Sequence, residues 1–219
     1  MTVPMHHIEG DMIVAYAAGT LSEGLSLVVA AHLSYCPKCR MRVATAEAVG
    51  GAVLEEMTPE PVSQDKLAAV LGRLDEPEAA PTLQACANAK LLNTSLPGCV
   101  RRYLPADLDT IQWGWSGPGV KHVQLLREGD IDVSIYHCKS GISMIEHDHV
   151  ADEAALILSG GFSDAKGSYR RGDFQIIEAG YVHAPVVDTS DPCLCLVLKR
   201  GPTKLTGRLP RLFQKLFGP

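Results

Sequence analysis

The sequence contains no long uninterrupted apolar run, so no membrane-spanning helix is expected. It also lacks a field of positive charge. Twenty Lys and Arg stand against 25 Asp and Glu, a net charge of −5, which argues against a surface built to grip nucleic acid. Base gathers only at the end, where Lys199 to Pro219 holds three Lys, three Arg and no acid. Met1 to Gly10 carries two His but no apolar core of the kind a secretory signal needs, and a cytoplasmic chain is the default expectation. Cysteine is sparse and odd in number, seven in 219 residues, which does not make a disulfide framework. The clearest pair is a Cys-x-x-Cys preceded by a His, a pattern that belongs to metal or redox chemistry in a reducing compartment.

What is present is ordinary globular material, 46% hydrophobic, in a length comfortable for two domains. The first part reads helical. Asp11 to Ala18 is a short apolar stretch stopped by Gly19. Thr20 and Glu23 have the spacing of a capping box, so a second helix is expected to begin near them and to run through Leu25, Val28, Val29 and His32. Pro37 ends it and starts a third, reaching towards Glu56. Leu67, Val70, Leu71 and Leu74 fall at i, i+3, i+4 and i+7 and predict an amphipathic fourth helix between proline-flanked connectors. Such a helix must dock on its own domain or on a partner. After about Gly98 the pattern becomes short strand-like runs: Tyr103–Leu104, Ile111–Trp113, Val120–Leu126, Ile131–Tyr136, Ala155–Leu158, Phe174–Ile177 and Leu194–Leu198. The expected organisation is multidomain, α plus all-β. It comprises a zinc-stapled four-helix domain over 1–85, a linker over 86–105, a β-barrel over 106–200 and a basic tail over 201–219.

Two constellations carry chemistry. His32, Cys36 and Cys39 form a His-x3-Cys-x2-Cys group. His32 and Cys36 share a helix face and Pro37 turns the chain so that Cys39 comes back within one turn. Imidazole with two thiolates favours zinc, and the fourth donor is expected from His6 or His7. A thioredoxin-like redox pair would follow a strand, and none is expected here. The second constellation is Gly141-x5-His147-x-His149-x3-Glu153-x6-Gly160, followed by Gly172-x5-Glu178-x-Gly180-x2-His183. His147 and His149 alternate on one strand and point to one side, Glu153 adds an oxygen donor, and His183 a third imidazole. The spacings resemble the paired motifs of cupins, whose fold is a jelly-roll barrel. Glu178 and Val187 stand where that pattern usually has Pro and Asn, departures that remove no ligand. Three His and one Glu accept zinc or another divalent transition metal.

The His pair, the stretch from Ala15 to Glu23 and the His32, Cys36, Cys39, Arg40 group resemble the zinc-binding anti-sigma domain family, and the chain as a whole resembles cupin-containing anti-sigma factors of the ChrR type. The resemblance implies His7, His32, Cys36 and Cys39 as zinc ligands, and zinc in the barrel as well. It implies a helical domain that wraps an extracytoplasmic-function sigma factor, one to one, and blocks its access to RNA polymerase. It further implies a barrel that answers an oxidative signal, singlet oxygen or a product of it, without being needed for the grip. The expected protein is thus an anti-sigma factor and not an enzyme, with no direct contact to nucleic acid or membrane. A metal-dependent cupin dioxygenase or isomerase with a helical accessory domain is the alternative, because cupins host many functions.

Lesser features have plainer readings. Period 2 puts Cys193 and Cys195 on one strand face, read as small core residues with a redox role as the minority alternative. Cys86, Cys99 and Cys138 show no partner pattern. Trp113 and Trp115 are expected to pack at the barrel entry. In the tail, Leu205, Leu209, Leu212, Phe213, Leu216 and Phe217 alternate with basic residues around Pro210, a pattern for a membrane-surface or partner helix or for a tail packed loosely on the barrel.

Overall fold

The computed structural model describes residues 3–74 and 96–206. Helix α1, Gly10–Ala17, ends where expected: Gly19 takes φ 67°, its N–H bonds to the Tyr16 carbonyl, and the Thr20 N–H reaches back to Ala15. Helix α2, Glu23–Tyr35, is capped by Ser22, whose hydroxyl accepts the Leu25 N–H at 3.3 Å. The cap is therefore Ser22 and not Thr20, whose hydroxyl is turned back to the Ala15 carbonyl. Pro37 opens α3, Pro37–Glu56, at its first position. Only Cys39 and Val43 of α3 are buried, both in its first two turns. Helix α4, Gln64–Gly72, buries none of its side chains among the described residues.

Residues 86–95 of the stretch read as linker lie outside the described residues, as does Cys86. From Leu96 the chain is packed. Leu96 and Val100 are buried, and the short helix α5, Gly98–Arg101, lies against α2. Two runs read as strands are not strands. Tyr103 and Leu104 close α5 with N–H bonds to Val100 and Arg101, and Ile111 closes a helical turn on Asp107. They are apolar because they pack on the core beside α2, not because they pair in a sheet. Trp113 packs there too and donates to the Leu108 carbonyl, whereas Trp115 is exposed.

Among the described residues eleven strands then build the barrel: β1 (Gly114–Trp115), β2 (Val120–Glu128), β3 (Ile131–Cys138), β4 (His147–His149), β5 (Glu153–Ser159), β6 (Gly161–Asp164), β7 (Gly167–Arg170), β8 (Phe174–Ile177), β9 (Val186–Val187), β10 (Cys193–Arg200) and β11 (Thr203–Leu205). An antiparallel six-stranded sheet runs β1-β2-β3-β10-β5-β8 and faces β7-β6-β9 and β11-β4. Of the expected basic tail only residues 201–206 are described, with β11 paired to β4; the other tail positions lie outside.

The large sheet has two different faces, as a period of 2 demands. On β10, Cys193, Cys195 and Val197 point into the barrel with Phe162, Tyr169 and Val187 of the opposite sheet. Leu194, Leu196 and Leu198 point outward, and so do Ile135, Leu156 and Val133 of the flanking strands. This outer face is covered by α2, whose Leu27, Val28 and Ala31 join the same buried cluster. Gly24 permits the approach: a Cβ there would lie 2.9 Å from a Val133 methyl and 3.1 Å from methyls of Ile131 and Leu198. Helix α2 thus lies between the rest of the helical module and the barrel, and one hydrophobic core runs through both.

Candidate metal centres

The helical site is assembled at the elbow between α2 and α3. His32 is in the last turn of α2, and Cys36 is at once the end of α2 and the N-cap of α3, its sulfur accepting the Cys39 N–H at 3.4 Å. His7 arrives from the segment before α1, with Nδ1 3.3 Å from the Cys36 sulfur. The Arg42 guanidinium donates to the carbonyl of neighbouring Ile8 and ties that segment to α3. One donor atom from each of His7, His32, Cys36 and Cys39 lies within 4.8 Å of the others. His6 points elsewhere: its Nε2 is 3.2 Å from the Ser168 carbonyl and its ring packs on Tyr169. Of the two candidate histidines, the structure brings His7 and not His6 beside the cluster, which the residue spacing leaves open.

His32 tests whether this set suits a metal. It is fully buried, and burial lowers its pKa to about 4, so it is neutral. Nδ1 bonds the Gly172 carbonyl at 2.9 Å, which fixes the proton there and leaves the Nε2 lone pair free. Nε2 has no hydrogen-bond partner among the described residues. A buried acceptor without a partner is costly. Coordination of an ion shared with two sulfurs removes the cost, and two thiolates with two imidazoles are the donors zinc takes in closed structural sites.

In the barrel, β4 aims His147 and His149 inward, and His183 pairs with His147 by two backbone bonds of 2.9 and 3.0 Å. The three rings converge: Nε2 of His149 and Nε2 of His183 are 3.2 Å apart, and one donor from each His lies within 4.8 Å of the others. Of their outer nitrogens, only that of His147 has a hydrogen bond among the described residues, and carboxylates stand near the other two. His147 Nδ1 bonds the Ile145 carbonyl at 2.7 Å, and His183 Nδ1 lies 3.8 Å from Asp164, which the Gln175 amide steadies. Burial lowers the pKa of His149 to about 3 and of His183 to about 4, so both are neutral donors. Glu153, at the start of β5, stands beside this triad, not within it at the same spacing; its Oε2 is 3.4 Å from His149 Nδ1. Burial pushes its carboxyl up to about 7, opposed by the Lys199 ammonium.

The cavity next to these side chains holds about 60 Å³ and is also lined by Cys138, Cys193, Cys195, Met144 and Phe162. Ligand pockets for drug-sized molecules run to roughly 300–1,000 Å³. This one has room for an ion and a molecule of a few atoms. Cys193 and Cys195 share the inward face, as the period-2 reading requires. Cys138 is the residue that reading missed: it is paired with Cys193 across β3 and β10, a register no local pattern reveals. Contact with Cys195 and burial push the Cys138 thiol up; for Cys195 the hydrogen bond with Cys138 is the largest single effect and lowers it, but contact with Cys193 and burial together outweigh it and raise the thiol, so both stay protonated. Asp164 and Lys199 were also missed, for the same reason.

The fold and the two sites define a class: a helical module with a His/Cys cluster of zinc-finger type, seated on a cupin-like barrel that gathers three His. Residues 11–40 match the family described as putative zinc-finger, and residues 103–204 match the ChrR cupin-like domain. The zinc-finger match includes His32, Cys36 and Cys39 and stops short of His7. Over 212 residues the chain is 34% identical to the anti-sigma-E factor ChrR of Cereibacter sphaeroides, covering 97% of both. The structure of ChrR in the Rhodobacter sphaeroides complex of SigE with its anti-sigma superposes with a TM-score of 0.78 at 32% identity, over 90% of this chain and all of that one. The chain belongs to the ChrR family of anti-sigma factors.

Proposed function

We propose that the chain sequesters an extracytoplasmic-function sigma factor, one to one, through its zinc-bound helical module, and that the barrel releases it on oxidative stress. The observation that carries the grip is the apolar surface left bare by α3 and α4. Beyond its second turn α3 exposes Val49, Val53 and Leu54, and α4 exposes Leu67, Val70 and Leu71. Lone exposed apolar residues are normal, but a row of them on successive helices of one module marks a protein-binding surface. Among the described residues nothing covers it. Amphipathic helices dock such faces in apolar grooves. The solved complex of the relative with SigE supports a sigma factor as the occupant.

His7, His32, Cys36 and Cys39 hold zinc in this reading. The ion ties the segment before α1 to the α2–α3 elbow and so sets the direction in which α3 projects. His147, His149, His183 and Glu153 hold a second divalent metal. Bound there, it supplies a Lewis-acidic centre in a cavity that admits only small molecules such as dioxygen species, beside oxidisable Met144 and three thiols. A cytoplasmic setting suits this partner, and no helix among the described residues is long and apolar enough to cross a membrane.

Co-expression with the sigma factor encoded beside the gene, followed by size exclusion and metal analysis, tests the grip. A one-to-one complex is expected, weakened at least about 30-fold by Leu67→Asp with Leu71→Asp, the scale of a lost hot spot. No complex with metals in place, or one indifferent to both substitutions, refutes it. His147→Ala or Glu153→Ala is expected to leave inhibition intact and blunt induction by singlet oxygen. Normal induction in those variants refutes the sensor.

A further inference from the structure

The helical zinc site is not built by the helical module alone. Its fixed histidine, His32, gives its Nδ1 proton to the carbonyl of Gly172, a barrel residue in the turn between β7 and β8. The next residue, Asp173, is buried. One of its carboxylate oxygens accepts the N–H of Met5 at 2.6 Å and of His6 at 3.0 Å; the other accepts the Arg170 N–H at 2.8 Å. The Phe174 N–H then bonds the His6 carbonyl at 3.2 Å. The segment that carries His7 is thus hydrogen-bonded along its backbone to the barrel, one residue from the ligand. Gly172 has φ 90°, and a Cβ there would lie 2.8 Å from Pro4 and 3.0 Å from Tyr35, so the turn fits closely against both chains that supply the imidazoles. It is anchored on the barrel side through Gly172 N–H to Ile157 and Ile157 N–H to Asp173.

We propose that the β7–β8 turn, residues 170–174, is the outer shell of the helical zinc site, with Asp173 a positioning residue for His7 and the Gly172 carbonyl for His32. This rests on the reading that His7, His32, Cys36 and Cys39 hold zinc. Both imidazole ligands are oriented by the barrel, whereas both sulfurs are oriented by the α2–α3 elbow. Disturbing the turn therefore frees the imidazole half of the site and leaves the thiolate half in place. Outer-shell partners of this kind are worth roughly 10–100-fold in metal affinity. The turn opens directly into β8, which pairs with β5 at Ile177 opposite Glu153, so the two candidate metal sites share one short stretch of chain.

The test uses the full chain with cobalt in place of zinc. Thiolate-to-cobalt absorption reports the Cys36 and Cys39 site alone, since the barrel ligands are His and Glu. Asp173→Ala is expected to speed loss of that absorption to a chelator at least about tenfold. It is also expected to shift the cobalt ligand-field bands, because an imidazole is exchanged for water. Asp173→Asn, which keeps the size but only one of the two acceptors, is expected to fall between Ala and wild type, and it carries the test if Asp173→Ala fails to fold. Asp191→Ala, at an exposed position, controls for charge. A merely structural role would lower the thermal midpoint without moving the bands. Unshifted bands with release within about twofold of wild type overturn the proposal. Thiolate absorption undiminished by Cys36→Ser together with Cys39→Ser shows instead that the assigned zinc ligands are wrong, which overturns the underlying reading as well.

Discussion

Gly24 and Gly50 both lie in helices, and the same change to Ala should move stability in opposite directions. In a helix Ala is better than Gly by about 0.5–1 kcal/mol. At Gly50, in α3, an added Cβ meets nothing within 4 Å, so Gly50→Ala should gain most of that. At Gly24 the Cβ would sit 2.9–3.1 Å from methyls of Val133, Ile131 and Leu198, all buried and two of them β-branched, hence unable to turn aside. Overpacking of this kind costs about 1–3 kcal/mol, which outweighs the helix gain. The net loss for Gly24→Ala is about 1 kcal/mol, and Gly24→Val, with two further methyls, should lose about 2–3 kcal/mol. For a chain of this length 1 kcal/mol corresponds to roughly 2–4 °C in midpoint. The assay is thermal unfolding at fixed metal loading, read by near-ultraviolet circular dichroism. If Gly24→Ala raises the midpoint as much as Gly50→Ala does, α2 is not seated on the sheet and the shared core is wrong.

Cys36→Ser removes a zinc ligand together with the α3 cap; it should release the helical zinc and weaken sigma binding by more than about 100-fold while the barrel's second metal, by elemental analysis, stays bound. Full inhibition by that variant would show that zinc does not organise the interface. Gly160→Ala should unfold or badly weaken the barrel, by about 3 kcal/mol or more in urea titration, because φ is 68° and the new Cβ would run into the Pro192 carbonyl. Acid should destabilise the metal-stripped chain. His32, His149 and His183 titrate near 4, 3 and 4 when folded and near 6.5 when unfolded, so below 6.5 the unfolded chain binds more protons and stability falls with pH. Glu153, raised to about 7, works the other way between about 7 and 4.5, but it is one group against three. A urea midpoint at pH 5.5 equal to or above that at 7.5 would contradict this.

How much of this was legible follows from range in sequence. The barrel His pair is read from two residues on one strand, and the elbow group from one helix turn and a proline; both are local geometry, and the side chains of each group do converge. Gly19 and Pro37 stop and start helices by backbone rules that need no partner. Tyr103, Leu104 and Ile111 misled because an apolar run of two or three residues has no period, and burial beside a helix selects the same residue types as burial in a sheet. Thr20 lost the cap to Ser22 because either hydroxyl satisfies the local pattern, and the hydrogen bond that decides depends on where α1 ends.

The largest omission was the relation between the halves, and α2 held the clue to it. An amphipathic surface helix shows one apolar stripe. Helix α2 is apolar on several sides at once, with Leu27, Val28, Val29 and Ala31 all buried together with Gly24 and His32. Such a helix needs neighbours all round, and α1 and α3 alone cannot supply them, since α3 buries only two residues. The missing neighbour is the outer face of the β3, β10 and β5 strands, whose own alternation hid it: Leu194, Leu196 and Leu198 interleave with Cys193, Cys195 and Val197, so the run is apolar throughout. A strand apolar on both faces is covered on both. Read together, a helix without a polar side and a strand without one predict each other as partners. The inner face then belongs to the barrel cavity and its His cluster and the outer face to the helix that carries His32, which places the two candidate metal sites on opposite sides of one sheet.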